Sequence, residues 1–370
     1  MRPWRSPLAS KPVPCHLYRC DLPLLRPLTT ARGTIASRTT WVVEIVTDSG
    51  KRGLGEAAPL PGFGGEEPEI CEQVLNKAVI ALSSDVVGRW LERGKPDAPL
   101  GHLLEPLLAK APCARHAIEG ALIDLLAQSQ GLPVAALLSN HGSILVPVNA
   151  LVDGAEDARW AVEQGYKTVK AKVGGDPALA VLRALELRVA VGSQTRLRLD
   201  ANGAWDFDQA LLFCEDTRLA NLELVEQPIN HLRPALLEEL AQLRRRSGIK
   251  VAVDEGIRAA ADVGRVGAAQ AADAVVLKPM FLGGWRATSQ AIQLARTCGL
   301  GAIITSSLDG SIGVAFAAHM AAASALNDHA HGLATGERFE ADLTVEPLTV
   351  KNGNLLIRER PGLGIGDLAV

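Results

Sequence analysis

Several features that mark common protein classes are scarce or missing in this 370-residue sequence. Aromatic residues make up only 4% of it, and no apolar run approaches the roughly 20 residues that a membrane-spanning helix needs. The formal net charge of -3 leaves no basic excess for nucleic acid. The six cysteines lie far apart without a C-x-x-C pair, and the proline-rich amino terminus lacks the apolar core of a secretory signal. We therefore expect a cytoplasmic protein with free thiols that binds neither nucleic acid nor membrane.

The chain is longer than a single hydrophobic core usually supports, which indicates more than one domain. Residues 40–48 (TWVVEIVTD) alternate between apolar and polar, a turn follows, and residues 53–58 return. This pattern predicts a β-hairpin at the start of an α+β capping domain over residues 1–110. The next segment, PLPGFGGEEPE, is a loop that either presents functional side chains or only connects two elements.

From residue 111 the pattern changes to a helix that ends at Gly131, followed by short apolar strands alternating with helical stretches. Such alternation is typical of a parallel sheet. The predicted strands are VPVNALV, TVKAKV, RLRLD, LELVEQ, KVAVDE, AVVLKP, GAIITSS and GLATGE. Eight strands predict an α/β fold, a (β/α)-barrel of the modified TIM type over residues 111–341. Residues 342–370 would then form a tail that returns to the capping domain.

Three acidic residues end consecutive predicted strands: Asp200 in LRLDANGAW, Glu226 in LVEQP and Asp254 in VAVDEG. The carboxyl ends of barrel strands converge on one site, so these carboxylates should meet there. Three crowded anions require a cation, and hard oxygen ligands suit Mg²⁺. The sequence therefore predicts a magnesium site at this end of the barrel.

Three lysines also lie within or at the end of predicted strands. Lys170 and Lys172 are two residues apart, so their side chains share one face of a strand. A second ammonium group and a divalent cation nearby disfavour the charged form, so one of the pair could act as a general base. Lys278 ends a strand four positions further around the barrel, on the opposite wall. An enolate formed next to a carboxylate could be stabilised between them.

The motifs K-x-K, D-A-N-G-A-W, V-E-Q-P, V-D-E-G and L-K-P occur in this order. Together they resemble the muconate-lactonizing subgroup of the enolase superfamily over nearly the whole chain. The resemblance implies that Lys172 is the base, that Lys170 modulates it electrostatically and that Lys278 is the opposing lysine. It implies Mg²⁺, with Mn²⁺ able to substitute, as the cofactor. The implied ligands are Asp200, Glu226 and Asp254, with Asn202 beside them as a supporting residue.

Within that subgroup, GLGEAAPLPGFGGEE, TSSLDGSIG and GLATGERF resemble the o-succinylbenzoate synthases of menaquinone or phylloquinone biosynthesis. This resemblance implies a small carboxylate substrate, 2-succinyl-6-hydroxy-2,4-cyclohexadiene-1-carboxylate, from which the enzyme eliminates water. Specificity should depend on the capping domain and on the ends of the seventh and eighth strands. The candidate substrate contacts are Arg32, Leu60, Phe63, Ser306 and Ser307.

The sequence leaves alternatives open. An N-succinylamino acid racemase could use the same two lysines without eliminating anything, and a muconate cycloisomerase could use the same scaffold. A dipeptide epimerase is disfavoured because GLATGERFEAD lacks paired aspartates that would bind a substrate ammonium group. A mandelate-racemase type is disfavoured because GAIITSSLD lacks a base histidine. A binding protein without catalysis would have little reason to keep three acids and two opposed lysines. The oligomeric state is open.

Overall fold

The computed structural model describes residues 14–30, 33–139 and 143–369. Its first sheet is antiparallel, in the order β1-β2-β3, with β1 at Cys15–Thr30, β2 at Gly33–Val46 and β3 at Arg52–Ala57. The predicted hairpin corresponds to β2 and β3 and is confirmed. Strand β1 was not predicted, because Pro23 and Pro27 interrupt its pattern. An edge strand tolerates proline, and its register shifts between Pro23 and Leu28.

Five helices follow the first sheet. The predicted helix is confirmed as α4, and Gly131 ends it with a left-handed φ of 69°. Helix α4 lies unusually close to β3: a Cβ built on Gly55 would stand 1.9 Å from the Ala117 carbonyl oxygen. Only glycine permits this approach. The helices are α1 Pro68–Ala81, α2 Ser84–Glu92, α3 Leu104–Leu108, α4 Pro112–Gln130 and α5 Val134–Leu138.

A parallel sheet of seven strands follows, in the spatial order β11-β10-β9-β8-β7-β6-β5. The strands are β5 Ala150–Val152, β6 Thr168–Lys172, β7 Arg196–Asp200, β8 Leu224–Glu226, β9 Val251–Val253, β10 Ala274–Leu277 and β11 Gly301–Ile304. The sheet closes through single bridges, from Thr305 to Gly332 and from His331 to Val148. The two edges thus meet across one short segment, and the predicted barrel is confirmed.

Two predicted strands need correction. GLATGE is not a regular strand, because only Gly332 at its start forms a bridge and the chain then turns. VPVNALV is divided: its first residues belong to β4, Leu145–Pro147, and only β5 belongs to the barrel. Strand β4 pairs with β13, Asn354–Leu356, which in turn pairs with β12, Val350–Lys351.

Helices cover the outside of the barrel, as the alternating pattern predicted. They are α6 Ala155–Glu163, α7 Pro177–Val191, α8 Phe207–Asp216, α9 Leu236–Ser247, α10 Ala260–Ala268, α11 Pro279–Leu282, α12 Trp285–Thr297 and α13 Ser311–Ala323. The last residues of the chain contact the amino-terminal part: the Leu363 amide donates to Asp124 at 2.9 Å and Arg52 pairs with Asp367 at 3.0 Å. The domain limits at residues 110 and 341 remain a prediction. Within the described ranges, no helix is both long and apolar enough to cross a membrane.

Candidate active site

One cavity lies at the carboxyl ends of the barrel strands, under the loop that follows β3. Every predicted site residue within the described ranges lines this cavity, whereas Arg32 lies outside the described residues. The predicted residues that line it are Leu60, Phe63, Lys170, Lys172, Asp200, Asn202, Glu226, Asp254, Lys278, Ser306 and Ser307. The structure therefore brings together side chains from the first sheet and from six barrel strands or the turns after them.

The three acids are buried side by side at the floor of the cavity. Asp200 pairs with Glu226 across β7 and β8, and Glu226 pairs with Ala252, two residues before Asp254. Burial raises the pKa of Glu226 to about 8, and the charges of its two acidic neighbours add to this effect. The three carboxylates therefore cannot all hold a negative charge without positive charge among them.

Lys170 and Lys278 supply positive charge to these acids. The Lys170 Nζ lies 2.9 Å from an Asp200 oxygen and 2.7 Å from a Glu226 oxygen. The Lys278 Nζ lies 2.5 and 2.6 Å from the two Asp254 oxygens. Burial alone would lower the pKa of each amine, but the adjacent carboxylates outweigh it and the pKa of both lysines is raised. Both lysines are held in the charged form.

Lys172 differs from the other two lysines. Among the described residues it has no hydrogen bond or ion pair, although its side chain lines the cavity. Burial lowers its pKa, and the charges of Lys170 and Lys278 add to that effect against the attraction of Asp200. Lys172 is therefore the amine of this cavity that most readily loses its proton. Strands β6 and β10, which lead to Lys172 and Lys278, are four places apart in the closed sheet, so the two amines approach from opposite walls.

Asn202 lies beside the acids and links Asp200 to Glu255 through hydrogen bonds. The backbone N–H of Asn202 donates to an Asp200 oxygen at 2.9 Å, and the side-chain NH₂ of Asn202 donates to Glu255 at 3.1 Å. Asn202 has a left-handed φ of 47°, a conformation that asparagine tolerates better than most residues. Burial raises the pKa of Glu255 to about 7, and the charges of Asp254 and Asp200 add to it. Asn202 thus fixes the orientation of Asp200.

The acids fit a divalent cation by their chemistry. They offer hard carboxylate oxygens from three adjacent strand ends, and their buried mutual repulsion would be relieved by a doubly charged ion. Within the described residues, no three Asp, Glu, His or Cys side chains are already grouped closely enough to hold an ion. Lys170 and Lys278 contact some of these oxygens here, so an ion would share the negative charge of the acids with the two ammonium groups.

The cavity wall formed by the turns after β11 and after Gly332 carries hydroxyl groups. The Ser306 hydroxyl shares a hydrogen bond of 2.8 Å with the Thr335 hydroxyl. Ser307 is only 5% exposed, and its hydroxyl has no partner among the described residues. Because Ser307 also lines the cavity, this unpaired hydroxyl is a candidate donor to a ligand.

Sequence reasoning missed about half of the lining. The additional residues are Leu28, Ile35, Asn149, Leu151, Thr305, Leu308, Gly332, Ala334 and Thr335. Asn149 carried a usable signal, because it is polar within the apolar run VPVNALV. The apolar residues had none, since any of them could equally belong to the core. They give part of the cavity wall an apolar surface.

Comparison with known proteins agrees with this geometry. Residues 16–139 match the mandelate racemase / muconate lactonizing enzyme N-terminal domain, and residues 153–366 match the enolase C-terminal domain-like family. The L-Ala-D/L-Glu epimerase of Clostridium acetobutylicum is 30% identical over 93% of this chain and 96% of its own length. The o-succinylbenzoate synthase of Thermobifida fusca is 42% identical over 58% of this chain and 67% of its own length.

A solved structure agrees as well. The dipeptide epimerase of Enterococcus faecalis, crystallised with Mg and L-Leu-L-Tyr, superposes with a TM-score of 0.87 at 27% identity. The alignment covers 97% of this chain and 100% of that one. On the matched domains, the closed barrel and its acidic site, the chain belongs to the enolase superfamily, in the group of mandelate racemase and muconate lactonizing enzyme.

Proposed function

We propose that this enzyme is an o-succinylbenzoate synthase, a Mg²⁺-dependent hydro-lyase of menaquinone or phylloquinone biosynthesis. Its substrate would be 2-succinyl-6-hydroxy-2,4-cyclohexadiene-1-carboxylate. One observation carries the proposal: beyond the three acids and three lysines at its floor, the described lining of the cavity is apolar or bears hydroxyl and amide groups. Such a wall suits a succinyl chain and a ring, and it offers no carboxylate to a substrate ammonium group. The 42% identity to the Thermobifida fusca synthase supports the same substrate.

The proton transfer follows from the pKa difference among the lysines. Lys172, in its neutral form, takes the proton from the ring carbon that bears the carboxylate, and an enediolate forms. Mg²⁺ held by Asp200, Glu226 and Asp254 would supply positive charge to the substrate carboxylate as negative charge develops on its oxygens. The C–O bond at the neighbouring carbon then breaks, and the departing hydroxide keeps the bonding electron pair. The Lys172 ammonium returns the proton to the departing hydroxide, so that water and an aromatic ring are the products.

Lys278 faces the same carbon from the opposite wall. Its pKa is raised because Asp254 and Glu255 outweigh burial, so it is an ammonium group at neutral pH. A fixed positive charge at this position stabilises the negative charge of the intermediate without a proton transfer. The elimination therefore needs the charge of Lys278 but the basicity of Lys172.

A second candidate is N-succinylamino acid racemase. The opposed lysines favour it, because one amine on each face of an α-carbon can remove and return a proton. The full-length likeness to epimerases also indicates 1,1-proton transfer as a chemistry of related barrels. Dipeptides are therefore a third class of substrate to test.

Turnover separates these functions. The ultraviolet absorbance of the cyclohexadiene is followed with Mg²⁺, then with EDTA, and then with the Lys172→Ala variant. We expect rapid loss of the diene with Mg²⁺ or Mn²⁺ and none in the other two reactions. In parallel, N-succinylamino acids and L-Ala-L-Glu are incubated in D₂O and their α-deuterium content is measured. Deuterium exchange into either compound without dehydration of the diene would show that the enzyme is a racemase or an epimerase and not a synthase.

A further inference from the structure

Arg38 is a buried charge that connects two walls of the cavity without lining it. It lies on β2 and is only 3% exposed. Its guanidinium makes three hydrogen bonds, all to backbone carbonyls: 2.8 Å to Ala58, 2.9 Å to Pro59 and 3.2 Å to Leu308. Burying an arginine is unfavourable unless its donors are satisfied, so this arrangement is specific.

The three carbonyls belong to two loops that both line the substrate cavity. Residues 58 and 59 directly precede Leu60, which lines the cavity on the side of the first sheet. Leu308 directly follows Ser306 and Ser307 on the barrel side. One guanidinium group therefore links the loop after β3 to the loop after β11.

The barrel loop needs such support. Leu308 has a φ of 59°, in the left-handed region that a leucine seldom occupies. Asp309 accepts a hydrogen bond from the Ser307 backbone N–H at 3.0 Å, and its negative charge stabilises the charged form of Arg38 against burial. Glu56, on β3, accepts the Gly310 and Gly313 amides at 2.7 Å each. The loop that carries the two serines is thus held in a strained conformation by residues of the first sheet.

We propose that Arg38 is a positioning residue that fixes the distance between the loop of residues 58–63 and the loop of residues 306–310, and so determines affinity for the substrate. The inference rests on the proposed function only in taking this cavity as the substrate site. It predicts that Arg38 acts on substrate binding and leaves proton transfer at Lys172 intact.

The kinetic test compares Arg38→Lys and Arg38→Met with Arg188→Met. Arg188 is the matched control, because it also donates to backbone carbonyls, those of Ala220, Gly192, Thr195 and Asn221, at the other end of the barrel. Losing one or two net hydrogen bonds should raise KM about tenfold in Arg38→Met. We expect kcat to stay within about twofold, a smaller KM effect in Arg38→Lys, and wild-type KM in Arg188→Met. Unchanged KM in a folded Arg38 variant, or a fall in kcat alone, overturns the inference.

Hydrogen exchange tests the same inference without a substrate. Amides of residues 58–63 and 306–313 should exchange faster in both Arg38 variants, whereas Arg188→Met should affect only the far end of the barrel. If Arg38→Met does not fold, Arg38→Lys carries both measurements. Unchanged exchange in these two segments refutes the positioning role. If the wild type turns over none of the three substrates while exchange responds as expected, the proposed function fails and the role of Arg38 stands.

Discussion

Ser306 and Ser307 are adjacent in sequence, yet the structure predicts opposite effects for their replacement by alanine. Ser307 lines the cavity, and its buried hydroxyl has no partner among the described residues. Ser307→Ala therefore breaks no hydrogen bond in the free protein, and its stability should stay unchanged or rise by up to about 1 kcal/mol. A hydrogen bond to a substrate carboxylate would be lost, at a cost of about 1.5–3 kcal/mol. That cost corresponds to a decrease of roughly 10- to 150-fold in kcat/KM.

Ser306→Ala serves as the control. Its hydroxyl is paired with Thr335, so the substitution leaves the buried Thr335 hydroxyl alone and should reduce stability by about 1–3 kcal/mol. Both variants are measured by thermal unfolding and by initial rates on the cyclohexadiene. We expect lower kcat/KM without lower Tm in Ser307→Ala, and lower Tm with a smaller kinetic effect in Ser306→Ala. A Ser307→Ala enzyme with kcat/KM within twofold of the wild type would refute the assignment of this hydroxyl to the substrate.

Two further predictions concern stability. Gly55→Ala should destabilise the fold by about 1–3 kcal/mol or more, because its Cβ meets the Ala117 carbonyl; Gly88→Ala, a helical position with open space, should stabilise it by about 0.5–1 kcal/mol in the same denaturant titration. Burial raises the pKa of Glu119 to about 7, whereas the pKa of an unperturbed glutamate is about 4.3. Between these two pH values the folded state therefore holds a proton that the unfolded state has lost. Stability therefore falls as pH rises toward 7, and Glu119→Gln should gain Tm relative to the wild type between pH 5 and 8. A difference in Tm that does not depend on pH would contradict this.

The barrel and the grouping of charged residues at its strand ends were predictable because both depend on local patterns. Each of the strands β6 to β10 is a short apolar run that ends at or just before a charged residue, and the closure of a parallel sheet brings those ends together whatever the loops do. The placement of Lys172, Asp200 and Glu226 in one cavity therefore followed from the order of the strands. Strand β1 and the division of VPVNALV could not be predicted in this way. Prolines interrupt the pattern of β1, and the pairing of β4 with the distant β13 divides VPVNALV.

The walls of the cavity could not be predicted to the same depth. Whether a serine hydroxyl is paired depends on a partner such as Thr335, which is 29 residues away from Ser306. The contact of Arg38 with Leu308 spans 270 residues. Neither leaves a periodic trace in the sequence, since a buried arginine on a strand looks like any exposed one. The different pKa shifts of the three lysines likewise depend on whether each amine contacts a carboxylate in the folded protein.

The most direct test of the account compares Lys172→Arg with Lys278→Arg in dehydration of the cyclohexadiene. Arginine keeps the positive charge but does not give up its proton, so it replaces an electrostatic role and not a base. We predict that Lys172→Arg lowers kcat by about 10²- to 10⁴-fold, the usual contribution of a general base, whereas Lys278→Arg keeps roughly a tenth or more of it. Turnover by Lys172→Arg at more than about a tenth of the wild-type rate would contradict the assignment of the base.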